Sequence, residues 1–106
     1  MESRPFALRF APEVIDYLHA IERRHHGLIR RTLSEQLSVT PDAQTRNRKP
    51  MEPPTPSGAT WELRFGPGNR FGAFYEVDTD KRVVRVLAIG VKRRNRLVIG
   101  KKEFRP

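Results

Sequence analysis

The chain has 106 residues, with 21 lysines and arginines against 12 aspartates and glutamates, which gives a formal net charge of +9 at pH 7. A chain of this length forms one domain with one modest core and is too small for two independent cores. It contains no cysteine, which excludes a disulfide framework, a thiolate nucleophile and a cysteine-ligated zinc site. The positive charge favours a nucleic acid, an acidic protein or an anionic membrane as partner, although solubility alone would also account for it.

From the N-terminal residues we expect no targeting signal. Residues 1–5 lack the apolar core of a signal peptide, and no apolar run reaches the ~20 residues that a membrane span requires. We therefore expect a cytoplasmic protein with no membrane partner. The sequence contains no cofactor-binding motif, so we expect no cofactor.

The first forty residues have the pattern of a short strand followed by two helices. Residues 6–10 alternate apolar and other side chains, which predicts a strand, and Pro12 suits the first position of a helix. We expect the two helices to join near Gly27 and to form a hairpin that packs on one face of a sheet, with the other face open. Their apolar stripes are Val14, Ile15, Leu18 and Ile21 in the first and Leu28, Ile29, Leu33 and Leu37 in the second.

Residues 61–91 predict three antiparallel strands joined by short turns at 66–69 and 78–81. In the first strand, apolar side chains face one side of the pleat, and Glu62 and Arg64 face the other. The third strand is rich in β-branched residues, which suits a central position.

A brief apolar run at 97–99 is a candidate edge strand. With it, the predicted fold class is α+β: an N-terminal strand and a two-helix hairpin packed on an antiparallel sheet of about four strands. Residues 1–106 would form this single domain.

The segment 40–60 separates the helices from the strands. It contains five prolines and no aromatic or branched aliphatic residue. Such a composition cannot bury enough surface to offset the entropy of ordering, so we expect a long, mobile, proline-rich loop.

Basic residues are concentrated on the predicted strands and on the loop before them. An antiparallel sheet would gather them around a phosphate, which fixed cationic groups bind well and whose pentacoordinate transition state they stabilise. Each of them alone is equally consistent with a solvated polar face. The candidates are Arg64, Arg70, Lys92, Arg93 and Arg94 on or beside the strands, and Arg46, Arg48 and Lys49 on the loop.

Other side chains are better interpreted as structural. Tyr75 shares a strand face with apolar residues, and Trp61 lies where it would close the core. His19, Glu22 and His26 share a helical face, but no fourth ligand accompanies them, so we expect no metal site.

An ordered set of short motifs resembles the RelE/ParE superfamily of toxin–antitoxin toxins. The resemblance extends from Phe6 to Phe104, and no single motif in it is as specific as a zinc-ligand spacing. The motifs are Trp-Glu-Leu-Arg-Phe at 61–65, Asn-Arg-Phe at 69–71, Phe-Tyr-Glu-Val-Asp at 74–78 and Val-Leu-Ala-Ile-Gly-Val-Lys at 86–92.

The resemblance implies a toxin of a type II pair that binds a cognate antitoxin protein. In its RelE branch, basic side chains on the sheet and a tyrosine near the C-terminus cleave messenger RNA at the ribosome, by attack of a ribose 2′-hydroxyl on the adjacent phosphate. Arg64 and Lys92 match two of these basic positions, and Arg46, Arg48, Lys49, Arg93 and Arg94 would then contact RNA.

Three positions depart from the RelE pattern. Gly72 stands where an arginine is common, Glu62 where a second basic residue is expected, and Val98 at the position of the tyrosine. Arg70, two residues before Gly72 on the same side of the pleat, is a candidate replacement for the arginine. Two alternatives therefore stay open: a ParE-like inhibitor of DNA gyrase, and an inactive relative that binds its antitoxin or operator DNA.

Overall fold

The computed structural model describes residues 4–52, 58–100 and 102–103, and its secondary structure is of the α+β class that the sequence predicts. No helix in these residues is long and apolar enough to cross a membrane. Short 3₁₀ turns occur at Arg23–His25 and Pro67–Asn69. The helices are α1 Glu13–His19 and α2 His26–Leu37, and the strands are β1 Ala7–Phe10, β2 Arg48–Pro50, β3 Trp61–Phe65, β4 Phe71–Asp78, β5 Val83–Arg93, β6 Arg96–Ile99 and β7 Lys102–Glu103.

The strands form one sheet around β5. The sheet has seven strands, of which six follow the order β2-β3-β4-β5-β6-β7 through antiparallel pairs. The remaining strand, β1, is parallel to β5 and shares its second edge with β6. The three central strands and a strand near 97–99 are as predicted, but the prediction that this strand, β6, is an edge strand is wrong, because β7 pairs with it. The parallel β1 and the short strands β2 and β7 were not predicted.

The two helices cover one face of this sheet and form the main core with it. Ile15 was expected in that core but is 59% exposed, because α1 is only two turns long and its buried stripe is narrow. The core residues buried in this layer are Phe6, Val14, Ile21, Ile29, Leu33 and Leu37 from the N-terminal part, and Leu63, Phe65, Phe71, Ala73, Tyr75, Val84, Val86, Ile89 and Val91 from the sheet.

The junction between the helices lies earlier than predicted. Helix α1 ends at His19, and Gly27 is the second residue of α2 rather than the point of connection. The ring nitrogen Nε2 of His26 lies 2.8 Å from the carbonyl oxygen of Leu18 and 2.9 Å from that of Ile21. In its Nε2-protonated form His26 donates to carbonyl oxygens at and just after the end of α1, and this contact fixes the approach of α2.

The segment 40–52 makes ordered contacts, the mobility expected for 40–60 stays a prediction, and residues 53–57 lie outside the described residues. The hydroxyl of Tyr75 donates to the carbonyl oxygen of Pro41 at 2.6 Å, and Pro41 is among the most buried residues. β2 pairs with β3, and the backbone nitrogen of Met51 donates to the carbonyl of Thr60 at 2.8 Å. Backbone and polar contacts therefore order a segment that has few apolar side chains.

The second face of the sheet is partly covered as well, which corrects the prediction that it stays open. A smaller apolar cluster lies there, made of Ala59, Phe74, Ala88 and Leu97, all of them buried. The uninterrupted burial of 71–75 in β4 and 88–91 in β5 follows from this second layer. A buried carboxylate, that of Glu62, lies beside this cluster, since Glu62 is opposite Phe74 in the register.

The Tyr75–Pro41 hydrogen bond should contribute measurably to stability. Tyr75→Phe leaves a buried carbonyl without a partner, which typically costs about 1–3 kcal/mol. Urea denaturation should show a lower midpoint with an unchanged slope. Tyr17→Phe is the control, because Tyr17 is only half-buried and no described residue hydrogen-bonds to its hydroxyl. An equal loss in both variants would contradict the assignment.

The same tyrosine predicts a loss of stability in alkaline solution. Burial raises the pKa of Tyr75 well above its ordinary value of about 10; Arg48 opposes the shift and Asp42 adds to it. Since the folded state holds this proton more tightly than the unfolded state, the contribution of Tyr75 is complete below pH ~10 and falls as the pH rises further. The difference in unfolding free energy between the wild type and Tyr75→Phe should therefore shrink above pH ~10. A constant difference up to pH ~11 would contradict this.

Candidate nucleic-acid interface

Arg64 and Lys92 are brought together at one end of the second sheet face. Arg64 pairs with Gly72 of β4, Gly72 pairs with Gly90 of β5, and Lys92 follows two residues later on the same side. The guanidinium of Arg64 donates through Nη2 to the carbonyl oxygen of Asn69 at 2.9 Å. The ammonium of Lys92 donates to the carbonyl oxygen of Gly68 at 3.1 Å. Two consecutive carbonyls of one turn therefore hold both cations.

That turn, Pro67–Asn69, is built from backbone conformations that few residues adopt; we call it the Pro67 turn. Gly66 has φ of 82°, and a Cβ atom there would lie 2.8 Å from the Phe71 ring, so only glycine fits without a shift. The turn is joined to β5 by the backbone nitrogen of Lys92, which donates to the carbonyl oxygen of Arg70 at 2.6 Å. The residue after the turn is thus hydrogen-bonded to β5, next to the carbonyls that orient the two cations.

Arg70 and Arg94 extend this group of cations beyond the sheet. They line a shallow depression of about 300 Å³, and no acidic residue is among the described residues that line it. The Nε atom of Arg70 is buried and has no hydrogen-bond partner among the described residues. The other lining residues are Pro67, Gly68, Lys92 and Asn95.

Glu62 compensates part of the positive charge on β2 and β3. It is only 5% exposed, and its carboxylate lies 3.6 Å from Nζ of Lys49 and 3.7 Å from Nη1 of Arg64. Lys49 is mostly exposed and Arg64 is less so. The resemblance implies a basic residue at position 62. Glu62 stands there instead, and its carboxylate orients Arg64 and Lys49.

Leu97 fills the space above Gly72 where the resemblance implies an arginine. A Cβ atom at Gly72 would lie 3.3 Å from a methyl group of Leu97 and 3.4 Å from Cδ of Arg64. At Gly90, a Cβ atom would approach the backbone oxygen of Val98 to 2.9 Å, so β6 passes close over this strand. A side chain at Gly90 would therefore force the backbone of β6 to shift, whereas at Gly72 the side chains of Leu97 and Arg64 would have to move by a few tenths of an ångström.

Val98 does not lie on the same side of β6 as Leu97. Leu97 is opposite Lys92 in the strand register and belongs to the apolar cluster on the second face, as Ile99 does, so Val98 points the other way. Position 97 is therefore the one that meets Lys92. Leu97 is apolar and supplies no hydroxyl such as the tyrosine that the resemblance implies would provide.

The remaining residues that were predicted to contact RNA lie on both faces of the sheet. Arg46 is exposed and lines, with Arg64, a second depression of about 240 Å³ at the edge of β3. Arg93 is also exposed, but its guanidinium donates to the carbonyl oxygen of Ala20 at 3.3 Å, on the helix side. The basic surface therefore consists of Arg46, Lys49, Arg64, Arg70, Lys92 and Arg94, with Arg93 outside it.

Arg48 was predicted on an RNA-binding loop but is buried, at 5% exposure. Its guanidinium donates to the carbonyl oxygen of Thr40, to that of Ala43 at 3.4 Å and to Oε1 of Gln36 at 2.9 Å. These bonds attach the segment before β2 to α2, so Arg48 is a structural residue. Its buried position follows from its pairing with Leu63, which points into the core.

Sequence reasoning missed the part of the site that the turns supply. Gly66–Asn69 was recognised as a turn, but nothing in its composition indicated that its carbonyls would hold Arg64 and Lys92. Asn95 was not selected either, although it lines the same depression as Arg94. Asn95 between two apolar runs was the available signal, because asparagine tolerates the left-handed backbone that a tight hairpin tip requires.

The described residues hold no cluster of histidine, aspartate or glutamate side chains that would bind a metal ion. Neither depression is lined, within those residues, by histidine, tyrosine or a carboxylate. The arrangement offers fixed positive charge with hydrogen-bond donors, which suits a phosphate group.

No model of a known protein family matches the chain, and no curated protein matches it. Among solved structures, it is similar to a chain in the crystal structure of the toxin–antitoxin complex RelBE2 from Mycobacterium tuberculosis. The two chains are 21% identical and superpose with a TM-score of 0.69, over 86% of this chain and 95% of that one. This likeness confirms the predicted RelE-like fold, which is the fold of the present chain.

Proposed function

We propose that the chain is the toxin of a type II toxin–antitoxin pair and that it acts in the cytoplasm as an endoribonuclease on messenger RNA at the ribosome. The fold supports this, because it is shared with a chain of a toxin–antitoxin complex. The net charge of +9 suits a protein that approaches a large RNA. The observation that carries the proposal is the placement of Arg64 and Lys92 by adjacent carbonyls of one turn.

The chemistry follows from the fixed positions of these cations. When a ribose 2′-hydroxyl attacks the adjacent phosphate, negative charge accumulates on the equatorial oxygens of a pentacoordinate transition state. Donors that are already oriented stabilise this charge without reorganising during the reaction. Arg64 and Lys92 are the proposed catalytic residues, and Arg70 is the third, because the buried part of its guanidinium has no partner within the described chain. No cofactor is required.

A second candidate function is supported by what the same face lacks. The described linings of the two depressions contain no histidine, tyrosine or carboxylate that would accept the proton of the hydroxyl. Leu97 occupies the place above Gly72. The nearby carboxylate of Glu62 is buried and already paired with Lys49 and Arg64. A basic surface whose depressions hold no proton acceptor among the described residues suits binding without cleavage, as in a gyrase inhibitor or an inactive relative that binds its antitoxin or DNA.

Inducible expression in bacteria separates these functions. Arrest of protein synthesis, with new messenger RNA ends mapped within translated regions, supports the ribonuclease. Induction of the DNA-damage response supports inhibition of gyrase. Normal growth with both processes intact supports the inactive relative.

Removal of the proposed catalytic cations tests the ribonuclease. Arg64→Ala and Lys92→Ala should each relieve growth arrest and reduce RNA cleavage about a hundredfold, because removing one oriented donor typically costs ~3 kcal/mol of transition-state stabilisation. Cleavage is measured as the rate at which messenger RNA ends appear after induction. Arg30→Ala is the charge-matched control, since Arg30 is exposed on α2.

The melting temperature of each variant must be compared, because the methylenes of Arg64 also pack beside Gly72 and their loss affects the fold. A folded Arg64→Ala, Lys92→Ala double variant that remains fully toxic would refute the ribonuclease assignment to these residues. The gyrase-binding or inactive function would then be preferred.

The salt dependence of antitoxin binding tests the role of the basic surface. We expect the cognate antitoxin to cover the basic surface with an acidic or amphipathic segment, because opposite charge is the simplest complement to it. Co-purification of the two proteins should weaken steeply between about 0.1 and 1 M salt, conditions under which the screening length falls from about 10 to about 3 Å. Retention that does not depend on salt would show that the antitoxin binds elsewhere, through apolar contacts.

A further inference from the structure

The depression at the edge of β3, which we call the β3 depression, differs in chemistry from the one beside the Pro67 turn. Its described lining consists of Gln36, Thr45, Arg46, Asn47, Leu63, Arg64 and Phe65. Two of these residues are apolar and belong to the buried core, and three carry a neutral amide or hydroxyl group. The other depression has no core residue in its described lining. The β3 depression therefore suits a ligand that is partly apolar and carries hydrogen-bonding groups, rather than a bare anion.

Asn47 brings a free side-chain amide to the β3 depression. Its backbone is held on both sides, because its N–H donates to Oγ1 of Thr45 at 3.3 Å and its carbonyl oxygen accepts from the backbone nitrogen of Arg64 at 2.8 Å. Its side chain is exposed and makes no hydrogen bond within the described part of the chain. An asparagine amide has two N–H donors and an acceptor oxygen. Asn47 thus offers a donor and an acceptor side by side from a fixed backbone position.

The buried Arg48 holds a second amide, that of Gln36. Oε1 of Gln36 accepts from Nη2 of Arg48 at 2.9 Å, which leaves the N–H donors of this amide for a ligand. The same guanidinium donates to the carbonyl oxygens of Thr40 and Ala43, so one side chain ties α2 to the segment that carries Asn47. Both amides are therefore positioned before a ligand arrives, which lowers the entropic cost of binding.

Two arginines complete the β3 depression. Arg46 is exposed, and the Nε atom of Arg64 is buried without a hydrogen-bond partner among the described residues. A guanidinium group is planar and stacks on the face of a nucleic-acid base. Asparagine and glutamine amides pair best with adenine, which carries an amino donor next to a ring-nitrogen acceptor. The combination of planar cations and free amides points to a planar heterocycle of this kind.

We propose that the β3 depression is a nucleobase pocket that prefers adenine, with Asn47 as the residue that reads the base and Gln36 as a second donor. The amide oxygen of Asn47 accepts from the amino group of adenine, its N–H donates to a ring nitrogen, and Arg46 stacks on the base. The inference rests on the proposed function and deepens it. Because Arg64 also belongs to the proposed catalytic pair, the recognised base lies next to the scissile phosphate. The pocket gives cleavage a sequence preference, which phosphate contacts do not supply.

Fluorescence anisotropy with labelled seven-nucleotide RNAs tests the pocket in the full chain. Heptauridine is compared with three RNAs in which the central uridine is replaced by adenosine, cytidine or guanosine, so the number of phosphates is constant. The wild type should bind the adenosine RNA about tenfold more tightly than the other three, which is the discrimination expected of one bidentate contact between an amide and a base.

Asn47→Ala should abolish this preference and change the affinity for heptauridine less than about twofold, because the substitution removes no charge. Gln44→Ala is the matched control, since Gln44 is an exposed amide on the same segment and is not in the described lining. It should keep the preference, and both variants should melt at the wild-type temperature. A wild-type preference for another base or for none, or an adenine preference that persists in Asn47→Ala, would overturn the proposal.

Mapped messenger RNA ends distinguish failure of the pocket from failure of the proposed function. A chain that produces no new ends, but binds the adenosine RNA through Asn47, removes the ribonuclease and retains the pocket. A chain that cleaves without adenine enriched beside the cut sites, and whose Asn47→Ala variant cuts at the same positions as Gln44→Ala, removes the pocket alone.

Discussion

The structure depends on the pairing of β4 with β5 and on the cover that both faces of this pair receive. Residues 71–75 and 88–91 are buried without a break, whereas a sheet with one solvated face alternates buried and exposed residues. The helices cover one face, and Leu97, Phe74, Ala88 and Ala59 cover the middle of the other. This second apolar layer leaves room for the cations Arg64 and Lys92 at one end of the face, beyond Leu97 and Phe74.

The cations at the strand end are accommodated by backbone carbonyls. Arg64 and Lys92 carry the same charge and repel each other, but each donates to a carbonyl of the Pro67 turn. Glu62 adds a buried carboxylate on the side of Arg64. Carbonyls hold a cation without neutralising it, so the surface remains positive and the side chains remain oriented.

The interactions around Arg48 and Tyr75 show a different use of polar groups. Both side chains reach the segment after α2, where Tyr75 donates to Pro41 and Arg48 donates to Thr40 and Ala43. A proline-rich segment buries little apolar surface, so its order depends on these few hydrogen bonds. Because β2 follows directly and pairs with β3, they also position Lys49 and Arg46 at the edge of the basic surface.

The candidate site was only partly predictable. Arg64, Arg70, Lys92 and Arg94 could be selected from charge and strand alternation, and the structure places them at one end of the sheet. Arg48 could not be distinguished from them, because composition does not show which arginine is enclosed by carbonyls. The tertiary structure alone separated the buried arginine from the exposed ones.

By itself, the sequence determined the α+β class, the two helices and the antiparallel order of the central strands. Each of these follows from local periodicity and from short turns, which act over a few residues. Only the tertiary structure decided that β1 is parallel to β5, that Leu97 covers Gly72, and that the Pro67 turn orients Arg64 and Lys92. These contacts join residues far apart in the chain, and no periodic pattern encodes them, because they depend on how the strands and turns approach one another in space.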